Sequence, residues 1–522
     1  MRARAVRSLA AGLALAALGI AARAAADDPP RPPEAQPPEP ALPSASPSTT
    51  PPSSEPTDPG NGKVKYTLEG IELRGNTRTT ARVLLRYVKF RPGDVLDVDD
   101  PEIELVRYRL LGTGFFATVQ LSLRKGEKRG GAVLVIDVVE RNTLVLQDLW
   151  LGIAADEDTA GNAKPQSAFV GAQVAETNLL GSGITIGAGV GLAADQFALR
   201  ARFFDPALLG SNWSALATLL YSDARDFFGN KAVQFESQGV ASREVTDYAV
   251  VGYRRVGGML GTGHDLGITT QLALDYRLEQ IDAKVPRIAS HVRGDTREPI
   301  EFPILPGTSV LSALRATLTY DTRDLPFLTT RGTFAQASVT AGIPPLGSSY
   351  GYTRIELSFQ TWWTLPWKHV VRFDAFAGGI GGDAPFFEKF YVGDFTDLLP
   401  DRVIDLAPDR RQPPNYLGTD IVEIRYGDFA GRVEAEYRVP VYSGRGSIYG
   451  VDLFARAGVY GVATRRDFTS PPTGYTGAAR VPIDLTYNVG LRVDTSVGGI
   501  TLAFSNLLGL LPTHTTQGGA SK

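Results

Sequence analysis

Apolar and polar side chains alternate one by one through much of the C-terminal part of the chain. Leu314, Ala316, Leu318 and Tyr320 alternate with Arg315, Thr317, Thr319 and Asp321. Ile355, Leu357 and Phe359 alternate with Arg354, Glu356, Ser358 and Gln360, and Val433, Ala435, Tyr437 and Val439 with Arg432, Glu434, Glu436 and Arg438. A period of two sends successive side chains to opposite faces of a strand, so each run predicts a strand with one apolar and one ionisable face. From about Leu144 onward such runs recur between glycine-rich turn signals, and little helical spacing interrupts them.

Two architectures produce that pattern. A soluble sandwich buries the apolar face, whereas a transmembrane barrel shows it to lipid and turns the charges into the lumen. The first residues bear on the choice. Arg2, Arg4 and Arg7 precede an apolar run from Leu9 to Ile20, and small residues follow at Ala22–Ala26. This is the pattern of a secretory signal, expected over residues 1–26. After it comes no uncharged apolar run of about 18 residues, so the spanning form left to the chain is a closed barrel. Aromatic residues near predicted strand ends (Trp362, Trp363, Trp367, Phe386, Phe387, Phe390 and Tyr391) and the charge density of the second face favour the barrel. Typical strand and loop lengths predict about 16 strands over residues 144–522.

Ahead of this region the rhythm differs. Residues 27–63 are rich in Pro, Ser, Thr and Glu, a composition that buries no core and predicts an extended spacer. Residues 64–141 predict a small unit of order β-α-α-β-β. Tyr66, Leu68, Ile71 and Leu73 mark a strand. Val83, Leu84, Tyr87 and Val88 lie at helical spacing, as do Ile103, Val106, Leu110 and Leu111. Val119, Leu121 and Leu123 mark a second strand, and Ala132–Val139 a third. The expected fold is therefore mostly β: one small β-α-α-β-β domain, then a transmembrane antiparallel barrel.

Composition removes several functions. The formal charge is −3, with no basic excess of the kind that marks a nucleic-acid binder. Cysteine is absent, which excludes disulfides and thiolate chemistry. His264, His291, His369 and His514 are scattered without metal-ligand spacing, so no metal site is expected. Gly181–Gly191 lacks the Lys-Ser/Thr of a phosphate loop. No pair of carboxylates stands out as acid and base, so neither catalysis nor a cofactor is expected.

The first unit resembles a POTRA domain, the polypeptide-transport-associated module of the BamA-like outer-membrane assembly family. The resemblance rests on the Gly70–Asn76 segment, Arg91–Asp94, Leu111–Phe116 and Val138–Glu140. The remainder is similar to the family's barrel, the bacterial surface antigen domain, at Glu176–Gly183, at Tyr320–Asp324 with Pro326 and Arg331-Gly332, and at Ala435–Pro440. Two departures stand out. Where the family's inward loop carries an Arg-Gly-aromatic motif, this chain has Asp401-Arg402-Val403, and its tail Thr513–Lys522 is polar rather than ending on an aromatic strand.

The resemblance implies residence in the outer membrane with the POTRA domain in the periplasm, and partners that are outer-membrane lipid, unfolded outer-membrane or secreted protein clients, and periplasmic accessory proteins. It implies an edge strand at Val119, Gln120, Leu121, Ser122 and Leu123 that binds client strands. It implies a lumenal contact of Asp401 and Arg402 with Glu434 and Glu436, or with Asp321 or Asp324. A seam between first and last barrel strands is expected near Asn178 and Gly181 on one side and Ile500, Leu502 and Phe504 on the other. The task so implied is insertion of β-barrel clients, with secretion of one dedicated partner or passive solute passage as alternatives.

Overall fold

The alternating runs fold as antiparallel strands. The computed structural model of the chain describes residues 65–505 apart from 98–100, 158–162, 230–244, 247, 287–288, 326, 400–401, 409–412, 414 and 445. The expected export signal, the Pro-rich segment, Asp401 and the C-terminal tail lie outside these residues.

The N-terminal domain is a four-stranded sheet under two helices. Its elements are β1 (Lys65–Arg74), α1 (Ala81–Arg86), β2 (Val95–Asp97), α2 (Pro101–Gly112), β3 (Phe116–Lys125) and β4 (Gly131–Glu140). The sheet order is β2-β1-β4-β3, with β4 parallel to β1. The short β2 is an addition to the expected order. Three residues are too few to show a period, yet they pair with Lys65–Thr67 and close that edge. Leu68, Leu84, Val106, Leu110, Leu134 and Ile136 form the core, each almost fully buried.

The larger unit is one antiparallel sheet with fifteen strands among the described residues, in keeping with the expected barrel of about sixteen, running in chain order from Leu144–Glu157 to Gly498–Phe504. Among the described strands, which alternate in direction, the first and the fifteenth run the same way.

Burial separates the two faces of the strands. Val433 and Tyr437 are 52% and 44% exposed, while Glu434 and Glu436 between them are each 2% exposed. Leu272, Leu274, Leu278, Ile355, Leu357 and Phe359 all stand on the outside, and Asp275, Glu279, Asp374, Arg438 and Asp484 are buried within. Apolar outside and ionic inside inverts a soluble fold, and it is what lipid outside a wet lumen demands.

Of the expected belt aromatics, only Trp363 and Trp367 are exposed. Phe386, Phe387, Phe390 and Tyr391 are buried in the lumen, on the stretch that folds inward between the eleventh and twelfth strands. Periodicity describes strands and says nothing of where a loop folds, so these residues read the same from sequence in either place.

The N-terminal domain docks on one rim of the barrel. Thr80 N donates to Gly181 O at 3.0 Å, Asn178 Nδ2 donates to Thr79 Oγ1 at 2.9 Å, and Arg86 pairs with Asp265 at 2.8 Å. The Arg331 guanidinium lies 4.9 Å from the centre of the Tyr108 ring, and Leu325 packs on the domain's core. Both belong to the turn that starts with Tyr320–Asp324, in which Asp324 Oδ1 accepts from Leu325 N and Thr330 N, each at 2.9 Å.

Candidate functional site

Three features carry the chemistry: an open strand edge on the small domain, a filled lumen, and the place where the sheet's two ends meet.

The edge is β3. It pairs with β4 alone among the described residues. Gly126 N donates to Gly131 O at 2.9 Å, which makes Lys125–Ala132 a non-hydrogen-bonded pair. Alternation along the ladder then gives Val119, Leu121 and Leu123 the same status, so their N–H and C=O groups face away from β4. Their side chains pack on the domain core. Gln120 and Ser122 bond to β4 through their backbones and show their side chains to solvent. The rim thus offers main-chain donors and acceptors at regular spacing, with little side-chain selection.

The lumen is filled by the inserted stretch. Phe386, Phe387, Phe390, Tyr391, Phe395, Val403, Ile404 and Tyr426 pack against wall residues Phe228, Tyr253, Tyr352 and Ile380. Arg402 stays within its own loop: Nη1 donates to Phe387 O at 3.3 Å, Nη2 lies 3.5 Å from Asp394 Oδ2, and the guanidinium is 5.0 Å from the Tyr391 ring centre. The expected pairing with Glu434, Glu436, Asp321 or Asp324 is not formed. Asp321 pairs with Arg323, and Glu434 with Arg432 and Arg456.

The wall holds the loop with the opposite polarity. Loop carboxylates meet wall arginines: Glu388 with Arg277 at 2.8 Å, and Asp405 with Arg200 at 3.0 Å and Arg255 at 3.7 Å. These five residues were missed in the sequence. The available signal was the position of Arg255 and Arg277 on lumen-facing strand positions, but nothing local ties a strand arginine to a carboxylate more than 100 residues away.

At the loop tip Val403 and Leu406 exchange backbone hydrogen bonds of 2.9 and 3.0 Å around Ile404 and Asp405, both at positive φ. The tip rests on Gly171, Gly189 and Gly191 of the second and third strands. A Cβ at Gly171 would lie 2.6 Å from the Val403 side chain, and one at Gly189 would lie 2.8 Å from that of Ile404. This accounts for much of the glycine-rich run near Gly181–Gly191: bare backbone makes room for the loop.

Glu436 is the hub of the lumenal charges near the other end of the sheet. It accepts from Arg492 at 2.6 and 2.7 Å, and Arg372 and Arg438 lie 3.8 Å away. Removing the carboxylate leaves three cations without their shared counter-charge, a change that costs on the order of 3 kcal/mol in a buried cluster. Glu436→Ala is expected to lower the urea midpoint of the barrel in lipid vesicles, while Glu356→Ala, partly exposed at the lumen wall, changes it far less.

The two ends of the sheet meet near the docking rim. Leu146 N donates to Val497 O at 2.7 Å, and Arg141 reaches Asp494 at 3.1 Å. Gly498, at φ +133°, has room for no Cβ because Leu146 O faces it. Beyond this contact no ladder joins Leu144–Glu157 to Gly498–Phe504 among the described residues. Ile500, Leu502 and Phe504 lie on that last strand with their side chains exposed. Asn178 and Gly181 do not face it. They lie at the end of the second strand and in the turn after it, against the small domain, because the first strand begins at Leu144, directly after β4.

The family model of the Omp85 superfamily domain matches residues 178–509. The chain belongs to the Omp85 superfamily. A second model, the POTRA domain described as a surface antigen variable number repeat, matches residues 66–141. Among curated proteins the chain is similar to the outer membrane protein assembly factor BamA of Nitratidesulfovibrio vulgaris, 22% identical over 365 residues, which is 68% of this chain and 40% of that protein. The chain thus spans well under half the length of this relative. Among solved structures it is similar to CdiB from Escherichia coli (14% identity, TM-score 0.50, 85% of this chain and 73% of that one) and to BamA from Haemophilus ducreyi lacking POTRA domains 1–3 (15%, 0.46, 84% and 80%). This Omp85 protein is an outer-membrane β-barrel with its POTRA domain in the periplasm.

In this Omp85 chain Glu140 ends the POTRA sheet and fixes its junction with the barrel. Its carboxylate accepts from Thr79 N at 2.6 Å, Arg78 N at 2.9 Å and Thr77 Oγ1 at 2.8 Å, shaping the loop that meets Asn178 and Gly181. Gly181 sits at φ +74° against Arg78 O, where a side chain does not fit. Partial burial pushes the Glu140 carboxyl up, and the hydrogen bonds from Thr79, Thr77 and Arg78 outweigh it, holding the group below the usual carboxylate range. A depressed folded-state value means that the anchor is intact at neutral pH and is lost as pH falls below that range. Glu140→Gln is expected to weaken docking by about 1 kcal/mol. Faster protease cleavage at the Arg141–Thr143 link, read on a gel, would show it.

Proposed function

We propose that this protein assembles β-barrel clients in the outer membrane, receiving extended segments on β3 of its POTRA domain and templating their strands at the barrel seam. The observation that carries this reading is that the two ends of the barrel sheet meet through one described backbone hydrogen bond, Leu146 N to Val497 O. A client strand entering lipid must satisfy every backbone group, which it cannot do alone, and an edge that parts at low cost lends it a partner.

The filled lumen argues against passive solute passage. A loop held by Glu388 and Asp405 to the wall leaves the polar interior occupied. Secretion of one dedicated partner uses the same architecture, and the likeness to CdiB keeps it as the second reading.

The deciding experiment is reconstitution. Purified protein in liposomes is expected to speed the folding of an unrelated outer-membrane barrel, followed by its heat-modifiable gel migration. A rate no faster than empty liposomes sinks the proposal. Depletion separates the second reading: loss of one exported protein, with other barrels unaffected, supports secretion.

A further inference from the structure

Between α1 of the POTRA domain and the periplasmic turns of the barrel lies a cleft of about 1010 Å³. Arg82, Arg86, Lys89, Arg91 and Arg109 line it, against the two carboxylates of Asp205 and Asp265. Both carboxylates are engaged: Asp205 caps Ala207 N at 2.9 Å and Asp265 accepts Arg86 Nη2 at 2.8 Å. The cleft therefore holds an excess of positive charge. Arg86 Nε and Nη1 and Arg109 Nε are buried without a hydrogen-bond partner among the described residues.

The surroundings set the depth of this cleft. Leu209 and Leu266 line it and are 94% and 59% exposed, and Leu180 and Trp213 stand out from the same turns. Together these exposed apolar side chains form a patch of the kind that marks a contact with a partner or a membrane. At the lower edge of a lipid-facing barrel such a leucine enters the acyl boundary, with tryptophan at headgroup level. The cations therefore lie where lipid phosphates lie, and the leucines where the chains begin.

We propose that this cleft binds the phosphate headgroup of an anionic lipid of the periplasmic leaflet. The bound lipid bridges POTRA domain and barrel: its phosphate sits among the cations of Arg82, Arg86, Lys89, Arg91 and Arg109, and Leu209 and Leu266 meet its chains. The site is separate from the β3 edge and the seam, and it fixes how the domain sits beneath the membrane whatever the client.

Native mass spectrometry of the full chain tests this, released from micelles doped with equal phosphatidylglycerol and phosphatidylcholine. The wild type is expected to retain phosphatidylglycerol over phosphatidylcholine by about tenfold, a difference of about 1.4 kcal/mol. Arg82→Glu with Lys89→Glu, both at exposed positions, is expected to erase the preference while heat-modifiable migration shows a folded barrel. Leu209→Asn, which suits the positive φ there, is expected to lower retention of both lipids. Inorganic phosphate at millimolar level is expected to leave the preference intact. An equal yield of both lipids from the wild type, a preference that survives the double reversal, or displacement by inorganic phosphate alone would each overturn the assignment, the last by showing a free-anion site. Client folding is not part of the readout, so failure here leaves the assembly reading standing, and the reverse also holds.

Discussion

Cysteines introduced together at Leu146 and Val497 will cross-link on oxidation and bring client folding down to the rate of empty liposomes, and reductant will restore it. Residues joined by a backbone hydrogen bond lie about 5 Å apart at Cα, within disulfide reach. The chain has no cysteine of its own, so the bridge has no competitor. The expected size follows from comparing the two sides of the last strand. It pairs over seven positions with Ile483–Thr495, whereas the turn just before it meets the first strand through one described backbone bond, at Val497, alongside side-chain bonds from Arg141 and Asn142. At about 1 kcal/mol per net hydrogen bond, the seam side opens before the ladder does. A covalent bridge removes that option without touching the lumen or the POTRA domain. Full client folding by the oxidised, cross-linked protein would show that the ends of the sheet need not part.

Leu121→Pro is expected to reduce capture of unfolded client by about tenfold, whereas Leu121→Ala reduces it far less. The N–H of Leu121 faces the open edge of β3, so proline removes a donor from the client's side and leaves the ladder to β4 whole. Alanine keeps that donor and loses only side-chain packing. Both variants forfeit part of the core contact, and the difference between them isolates the main chain. Fluorescence anisotropy of a labelled client peptide reads it directly. Equal affinities for the two variants would mean that clients do not add as a strand at this edge. Capture on β3 and opening of the seam are separate steps, so the first variant slows delivery while the disulfide stops insertion.

Much of this architecture was legible without coordinates. A period of two with apolar and ionic faces, as at Val433–Val439, forces a strand with unlike sides, because pleating leaves a side chain no other choice. The alternation of Val119, Leu121 and Leu123 likewise places β3 with one face on a core. What periodicity could not show is where non-periodic segments go. Phe386, Phe387 and Phe390 are as apolar as any membrane-facing aromatics, and only the packing of their loop on Tyr253 and Phe228 puts them inside. Arg402 reads as a wall-pairing arginine, yet the loop's own Asp394 lies nearer, while Arg277 and Arg255 take Glu388 and Asp405 across gaps of more than 100 residues.

The seam shows the division most sharply. Sequence alone determined the alternating strands with their unlike faces and the small domain before them, since each follows from local spacing and the free energy of burial. Tertiary structure alone decided which strands are first and last, that Asn178 and Gly181 hold the POTRA domain rather than the barrel's closure, and that Leu146 meets Val497. Those are long-range pairings, and the free energy that selects them belongs to two segments at once.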